Sequence, residues 1–405
     1  MKSVQNLWCS SRTVQVVVIL CAFFFRLSFE ASSSTIALPK KGKEHTPPLS
    51  KRIPESVLSL SLFGRIEWKT TMLPWVGEGP YEGISGSGMV AIEDKIYVVG
   101  GFIPGGDESG DDVSGRTSRW LWCFDPENSQ WTRLPDAPIR REYVRAVAKG
   151  NDLFVMGGAS QYKGSEPPYR PHNDTVSIDL SKKDLVWVMI PALNIARTHM
   201  AVGLSNNQLV VAGGNEYKFS EMGYSHLTVR DSVEVFNLEQ PEKGWRLRAP
   251  MPAPARGWAA SFSSNDRLYV LGGITWDKEN RIIATPETLS YSSAKNVWTK
   301  HNPPPISISG WEAALYNERY AIATGGVVRP NPDSPLIWSD LSFAYDTQND
   351  QWLRIDGELP PGAVFNDPGV VIIGDTIYVL GAEGPYGSHY NYFLIGKIHP
   401  VKEKE

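Results

Sequence analysis

Hydrophobic and polar positions repeat along this chain in one order: an apolar stretch, a polar pair, a β-branched and aromatic run, and two glycines. The order first appears in VAIEDKIYVVGG, Val90 to Gly101. Five further stretches align with it without a gap: VAKGNDLFVMGG from Val147, GLSNNQLVVAGG from Gly203, FSSNDRLYVLGG from Phe262, LYNERYAIATGG from Leu315 and VIIGDTIYVLGA from Val371. Their first glycines, Gly100, Gly157, Gly213, Gly272, Gly325 and Gly381, are 57, 56, 59, 53 and 56 residues apart. A period in this range marks a repeat architecture. Each copy predicts the end of one strand, a two-residue hairpin turn and a second strand. The turns are Glu93-Asp94, Gly150-Asn151, Asn206-Asn207, Asn265-Asp266, Asn317-Glu318 and Gly374-Asp375, residue types that favour turns and tolerate positive φ. The second strand has little polar alternation, as expected of a strand covered on both faces.

A tryptophan follows each of the first five glycine pairs, at Trp131, Trp187, Trp245, Trp298 and Trp352, and in three repeats an aromatic stands seven positions before it (Phe124, Tyr291, Tyr345). That spacing fits a third strand, a turn and a fourth strand. Four antiparallel strands per repeat make a propeller blade. On these residues the chain resembles the kelch family, whose repeat runs from a hydrophobic stretch through a glycine pair to Tyr, six residues and Trp. The resemblance covers roughly Leu60 to Ile398 and implies an all-β, six-bladed kelch-type β-propeller of the galactose oxidase and kelch superfamily. The last repeat lacks a following Trp, whereas RIEWKTTML, Arg65 to Leu73, lies before the first glycine pair and carries Trp68. It is therefore expected to supply the missing fourth strand of the last blade and leave no edge open.

The N-terminus changes the picture of where the chain works. Lys2 and Arg12 precede an apolar run from Thr13 to Phe25, a length that suits a secretory signal better than a membrane span of roughly 20 residues. The expected organisation is a signal peptide or signal anchor over 1–33, a flexible linker over 34–59, the propeller over 60–400 and a charged tail over 401–405. The mature chain is then secreted or extracytoplasmic, or bound to a membrane if the apolar segment is retained. Only Cys123 of the three cysteines would remain, so packing must hold the fold, and 14 Trp, 16 Tyr and 14 Phe supply it. Asn173-Asp174-Thr175 is a glycosylation acceptor sequence. A net charge of -4 with scattered Lys and Arg excludes a phosphate-tracking surface, so nucleic acid is not an expected partner.

Candidate chemistry collects on one face. In a four-strand meander the connections from second to third strand, and from one blade into the next, emerge on the same side. Here both are long, so that face is the expected docking surface. Sixteen positions before the first glycine stand Arg141, Arg197 and Arg256; fourteen before it stand Tyr143, His199, Trp258, Trp311 and Asp367; Arg145 is at twelve. A spacing of two puts them on one side of the inner strand, ringing the channel mouth. Guanidinium and aromatic groups there suit a carboxylate, a sugar ring or an acidic peptide, and the alternative role for the arginines is blade-to-blade hydrogen bonding.

The seven His form no zinc-ligand spacing, and the acidic stretch Asp107 to Asp112 does not match an EF-hand, so neither metal nor cofactor is expected. The copper site of galactose oxidases needs a Cys-linked Tyr that Cys123 is not placed to supply. The Glu, Asp and His triplet of nitrile specifier proteins fails at Arg116. The expected function is binding or scaffolding of a protein or glycan on the long-connection face. The alternative draws on bacterial N-acetylneuraminate epimerases, which the chain resembles as an exported six-bladed kelch-like propeller. It is a sugar mutarotase or epimerase using His199, Arg145, Glu142 and Asp367 as an acid, base and carboxylate-binding set.

Overall fold

The computed structural model describes residues 47–77, 82–104, 117–161, 169–220, 223–279, 281–385 and 388–401. Six four-stranded antiparallel meanders follow one another. Their inner strands are Gly88–Ile92, Arg145–Lys149, Ala201–Ser205, Ala260–Ser264, Ile308–Tyr316 and Gly369–Ile373. Each inner strand lies beside the next, and the sixth lies beside the first, so the meanders close into a ring and are numbered here as blades 1 to 6. The second strands, such as Leu209 to Ala212, are almost wholly buried between neighbouring blades, which is why they lack polar alternation.

Blade 6 closes as expected. Its outer strand is Leu62–Met72, which pairs antiparallel with Tyr392–Pro400 from Gly64↔Pro400 to Met72↔Tyr392. The same strand touches the outer strand of blade 5, Gln351–Asp356, in parallel, joining blades 5 and 6 into one sheet.

Two backbone-directed contacts recur at the junctions. The second glycine of each of the first five pairs donates its N–H to a carbonyl just before the next inner strand. These bonds are Gly101 to Arg141, Gly158 to Arg197, Gly214 to Arg256, Gly273 to Ile308 and Gly326 to Phe365, at 2.6–3.1 Å. All ten of these paired glycines have positive φ. A Cβ on Gly213 would stand 2.5 Å from the Arg256 oxygen and one on Gly214 2.6 Å from that of Thr198, so only glycine lets the blades approach this closely. At the rim, a tryptophan indole N–H reaches a carbonyl of the preceding blade: Trp187 to Pro135, Trp245 to Pro191, Trp298 to Ala249, Trp352 to Asn302 and Trp68 to Gly357. These tryptophans therefore latch neighbouring blades as well as pack.

Three expectations need correction. The connections from second to third strand are in several blades β-ribbons, for example Ile274–Trp276 with Ile282–Ala284 and Asn215–Ser220 with Gly223–Val229, because paired backbone satisfies their donors better than open loop. The stretch expected as linker is packed from residue 47 onward. Leu49 and Val57 are buried against blades 4 and 5, and Ser50 donates from its backbone and hydroxyl to the Asp340 carboxylate. The fifth hairpin turn has three residues, Asn317 to Arg319, since Tyr316 pairs with Tyr320. That extra residue offsets the inner strand of blade 5 by one against the other five.

Candidate functional site

The offset decides which side chains meet on the axis. At the level where the chain enters each inner strand, the six equivalent residues are Gly86, Tyr143, His199, Trp258, Gly310 and Asp367. All six have left-handed φ, between 49° and 64°. Part of this belt is chained by backbone hydrogen bonds: Trp258 N–H to His199 O, Gly310 N–H to Trp258 O, and Asp367 N–H to Gly310 O. The belt residues are flanked by a repeated bridge to the ribbon of the same blade, as in Glu142↔Ala159, Thr198↔Asn215 and Asn366↔Glu383.

Three belt side chains form a stack across the mouth. The Tyr143 and His199 rings are 4.0 Å apart at 34°, and those of His199 and Trp258 are 4.1 Å apart at 32°. Blade 6 receives the stack with two carboxyl groups. The Tyr143 hydroxyl donates to Glu383 Oε1 at 2.6 Å, and Asp367 Oδ2 lies 3.8 Å from His199 Nε2. Thr198 Oγ1 and Asn215 Nδ2 flank His199 Nδ1. Trp276, on the ribbon of blade 4, sits 5.9 Å from Trp258.

The next level down holds Gly88, Arg145, Ala201, Ala260, Glu312 and Gly369. Four small residues leave room for one ion pair across the axis, Arg145 Nη1 to Glu312 Oε2 at 3.0 Å, between opposite blades 2 and 5. Arg145 Nε also donates to Met200 O, and Glu312 Oε1 accepts from Ser261 N–H. A cavity of about 80 Å³ lies at this level, lined by residues that include Ser87, Arg145, Ser261, Glu312 and Pro368.

Burial sets the protonation of these groups. Asp367 is pushed up to about 7, first by burial and then by the nearby Glu383 charge, while Arg145 pulls it the other way. Burial also raises Glu383 and Glu312. It holds His199 well below its ordinary value, helped by Arg145, so the imidazole is neutral. An acid near neutrality beside a neutral imidazole can exchange a proton, but His199 and Asp367 are only 3% and 5% exposed.

The structure therefore brings Tyr143, His199, Trp258, Asp367 and Arg145 together at the axis and sends the other candidates elsewhere. Trp311 is a correction: it lies in the core, 1% exposed, stacked on Trp352 with its indole N–H on Leu271 O. The three-residue turn places Gly310 at the mouth instead. Arg141, Arg197 and Arg256 are also corrected from ligand binders to staples. All three are at most 1% exposed. Their guanidiniums donate to Gly157 O and Asp174 O, to Gly213 O, Ser232 O and Glu234, and to Gly272 O, Glu287 and Pro254 O. A channel-mouth arginine would face solvent; these close blade interiors. Glu142 is likewise buried beside the belt in the bridge to Ala159. The Asn173 amide nitrogen, the atom that would carry a glycan, donates to Leu193 O at 2.8 Å. The acidic stretch Asp107 to Asp112 lies outside the described residues. Among the described residues no three His, Cys, Asp or Glu stand close enough to hold a metal ion.

Reading from the sequence missed Glu312, Glu383 and Trp276. The extra residue in the YNERY turn was the available signal for Glu312. Glu383 and Trp276 sit just past the glycine pairs, on ribbons whose pairing has no repeat signature.

Comparison with known proteins agrees with this architecture. The Kelch motif family model matches residues 84–138, which are blade 1 and the residues entering it. Kelch-like protein terF of Aspergillus terreus is 26% identical over 266 residues, 65% of this chain and 54% of that protein. Beta-scruin of Limulus polyphemus is 26% identical over 56% of this chain and 22% of its own length. N-acetylneuraminate epimerase 1 of Escherichia coli O6:H1 is 25% identical over 37% of this chain and 47% of its own. The matched stretch thus spans between 22% and 54% of these curated relatives. A solved structure titled "Structure of YjhT" superposes with a TM-score of 0.60 over 82% of this chain at 16% identity, a likeness of fold. With its glycine-paired meanders closed into a ring, the chain carries a Kelch motif and has the architecture of a kelch-type β-propeller.

Proposed function

We propose that this chain is a kelch-repeat binding scaffold whose partner is a protein docked on the face carrying the second-to-third-strand ribbons. The observation that carries the reading is a contrast in saturation. At the axis Arg145 is paired with Glu312, the Tyr143 hydroxyl with Glu383, and the cavity beside them is about 80 Å³, below the roughly 300 Å³ of an ordinary ligand pocket. On the ribbons of blades 4 and 5, Trp276, Ile282, Ile283, Leu336 and Trp338 are half-buried and face no such closure. The two ribbons are tied by Arg281 and Asp333 at 3.5 Å. Half-exposed aromatics beside charged groups are what interface centres use. The test is affinity capture with wild type, a Trp276→Ala/Trp338→Ala double variant and a rim control, Val188→Ser. The reading requires a set of partners kept by the control and lost by the double variant. Equal capture by all three sinks it.

One observation favours a second reading, a sugar mutarotase or epimerase: Asp367, titrating near 7, lies beside His199. Accelerated anomeric exchange of N-acetylneuraminate in NMR spectra, lost in Asp367→Asn, would support it; exchange at the uncatalysed rate would remove it. The compartment is part of the proposal as well. We place the mature chain outside the cytoplasm on the strength of the apolar run from Thr13 to Phe25, which lies outside the described residues. N-terminal sequencing of the protein from its native source should begin at Ser34. A chain beginning at Met1 and recovered from the cytosol refutes this placement.

A further inference from the structure

The mouth carries a contradiction that points to a moving part. Three rings contributed by blades 2, 3 and 4 lie over the axis, and the groups that receive them, Glu383 and Asp367, both come from blade 6. Both acids are at most 6% exposed. Asp367 Oδ1 has no hydrogen-bond partner, and its Oδ2 is approached by the Asn366 amide at 3.3 Å.

The charged and titratable groups around Asp367 can be named from every side. Blade 3 presents His199, blade 2 presents Arg145 and, through Glu383, Tyr143; blade 5 presents Glu312, and the ribbon of blade 6 presents Glu383. Trp258 of blade 4 lies on the same side and draws Asp367 downward. Among the described residues, with all acids ionised, three carboxylates face one guanidinium, and that guanidinium is already bound to Glu312 at 3.0 Å. His199 supplies no compensating charge because burial keeps it neutral. A buried charge of this kind is relieved by protonation or by water.

We propose that the Tyr143–His199–Trp258 stack is a proton-operated gate: it seats over the axis while the Asp367–Glu383 pair holds a proton, and lifts to admit water to the Arg145–Glu312 level when that proton leaves. The belt and bridge hydrogen bonds hold the backbone of Asp367, Asn366 and Trp258 alike, so the movable parts are side chains, and those of Tyr143 and Trp258 are half-exposed whereas Asp367 and Glu383 are buried. Asp367 is raised to about 7 and Glu383 is raised with it, which places the transition around neutral pH.

Diethyl pyrocarbonate modification of His199, read by mass spectrometry and normalised at each pH to the partly exposed His399, reports the gate directly. In wild type the normalised rate at His199 should rise at least tenfold between pH 6 and pH 8.5. In Asp367→Asn, checked for native circular dichroism, it should stay at the low value at both. Glu383→Gln removes the neighbouring charge that raises Asp367 and should move the midpoint of the wild-type rise downward by about one pH unit, and it decides the matter if Asp367→Asn does not fold. A flat wild-type profile, a rise that persists in Asp367→Asn, or an unmoved midpoint in Glu383→Gln each overturns the gate.

Discussion

Five of the six blade junctions are built alike, and the sixth is built differently. From blade 1 to blade 6, each boundary carries a glycine N–H staple near the axis and an indole N–H latch at the rim. Between blade 6 and blade 1, Ala382 replaces the second glycine, and Gly381 lies outside the left-handed region. Aromatic contact takes over there. Trp131 packs edge-on to Phe393 at 5.1 Å, Phe124 meets the same ring at 4.9 Å, and Trp75 stacks on Trp122 at 5.1 Å and 12°. Residues on either side of Trp75 also reach blade 6, with Leu73 N–H on Asn391 O, Ile84 N–H on Tyr390 O and Ser85 Oγ beside His389 Nδ1. Directional staples suit junctions that repeat a common geometry. The junction next to the closing strand lacks that geometry, and non-directional ring packing tolerates the difference.

The largest way to break this contrast is to remove the closing strand. Deletion of residues 62–72 should abolish cooperative folding of the ring, since it opens the nine-residue pairing with Tyr392–Pro400 and exposes an edge. A thermal melt by circular dichroism with an unchanged midpoint would show the closure to be dispensable. Next in size is a glycine contrast. Gly214→Ala, with φ +89° and a Cβ 2.6 Å from Thr198 O and 2.9 Å from Met200 Cβ, should cost about 3 kcal/mol in urea unfolding. Ala382→Gly should cost no more than about 1 kcal/mol.

Proton linkage sharpens the contrast further, because Asp367 and Glu383, both raised by burial, lie in blade 6. Asp367 rises from 3.8 to about 7, so between those values the folded protein keeps a proton that the unfolded chain has released. Its stabilising share is full below about 3.8 and is lost as pH rises through about 7. His199, and His172 at about 4, act in the opposite sense and cost stability as pH falls below 6.5. The difference between wild type and Asp367→Asn cancels the histidines. From pH 5 to pH 8 the Asn variant should gain on the wild type by about 3 kcal/mol in urea unfolding, and a constant difference contradicts the assignment. The smallest effect is at the rim. Trp187→Phe loses its bond to Pro135 O and should cost about 1 kcal/mol, whereas Trp131→Phe keeps its ring contacts and should cost less. Equal losses would mean that the latch adds nothing to packing.

Much of this architecture was legible in the residues. Turn pairs such as Asn206-Asn207 and Asn265-Asp266 do adopt positive φ, and the strand carrying Trp68 closes the ring where the count of tryptophans required it. These features repeat, and repetition makes weak local signals additive. What failed was anything that a fixed count from the glycines could not carry. Trp311 was displaced from the mouth by one residue in a turn, and Glu312 was thereby hidden from its partner Arg145. The arginines before the inner strands were placed at the right level, but whether a guanidinium meets solvent or the carbonyls between its own blade's strands depends on how that blade packs. The Trp75 contacts lie outside the repeat, where no second copy marks them.

The closing strand has a consequence for biosynthesis. Arg65 pairs with His399, so the strand made first waits for a partner made more than three hundred residues later. At ordinary translation rates of about 5–20 residues per second the wait is on the order of tens of seconds. Throughout it the nascent chain carries an unpartnered strand, and the alternation of Arg65, Glu67, Lys69 and Thr71 with apolar neighbours keeps that strand soluble until the ring can shut.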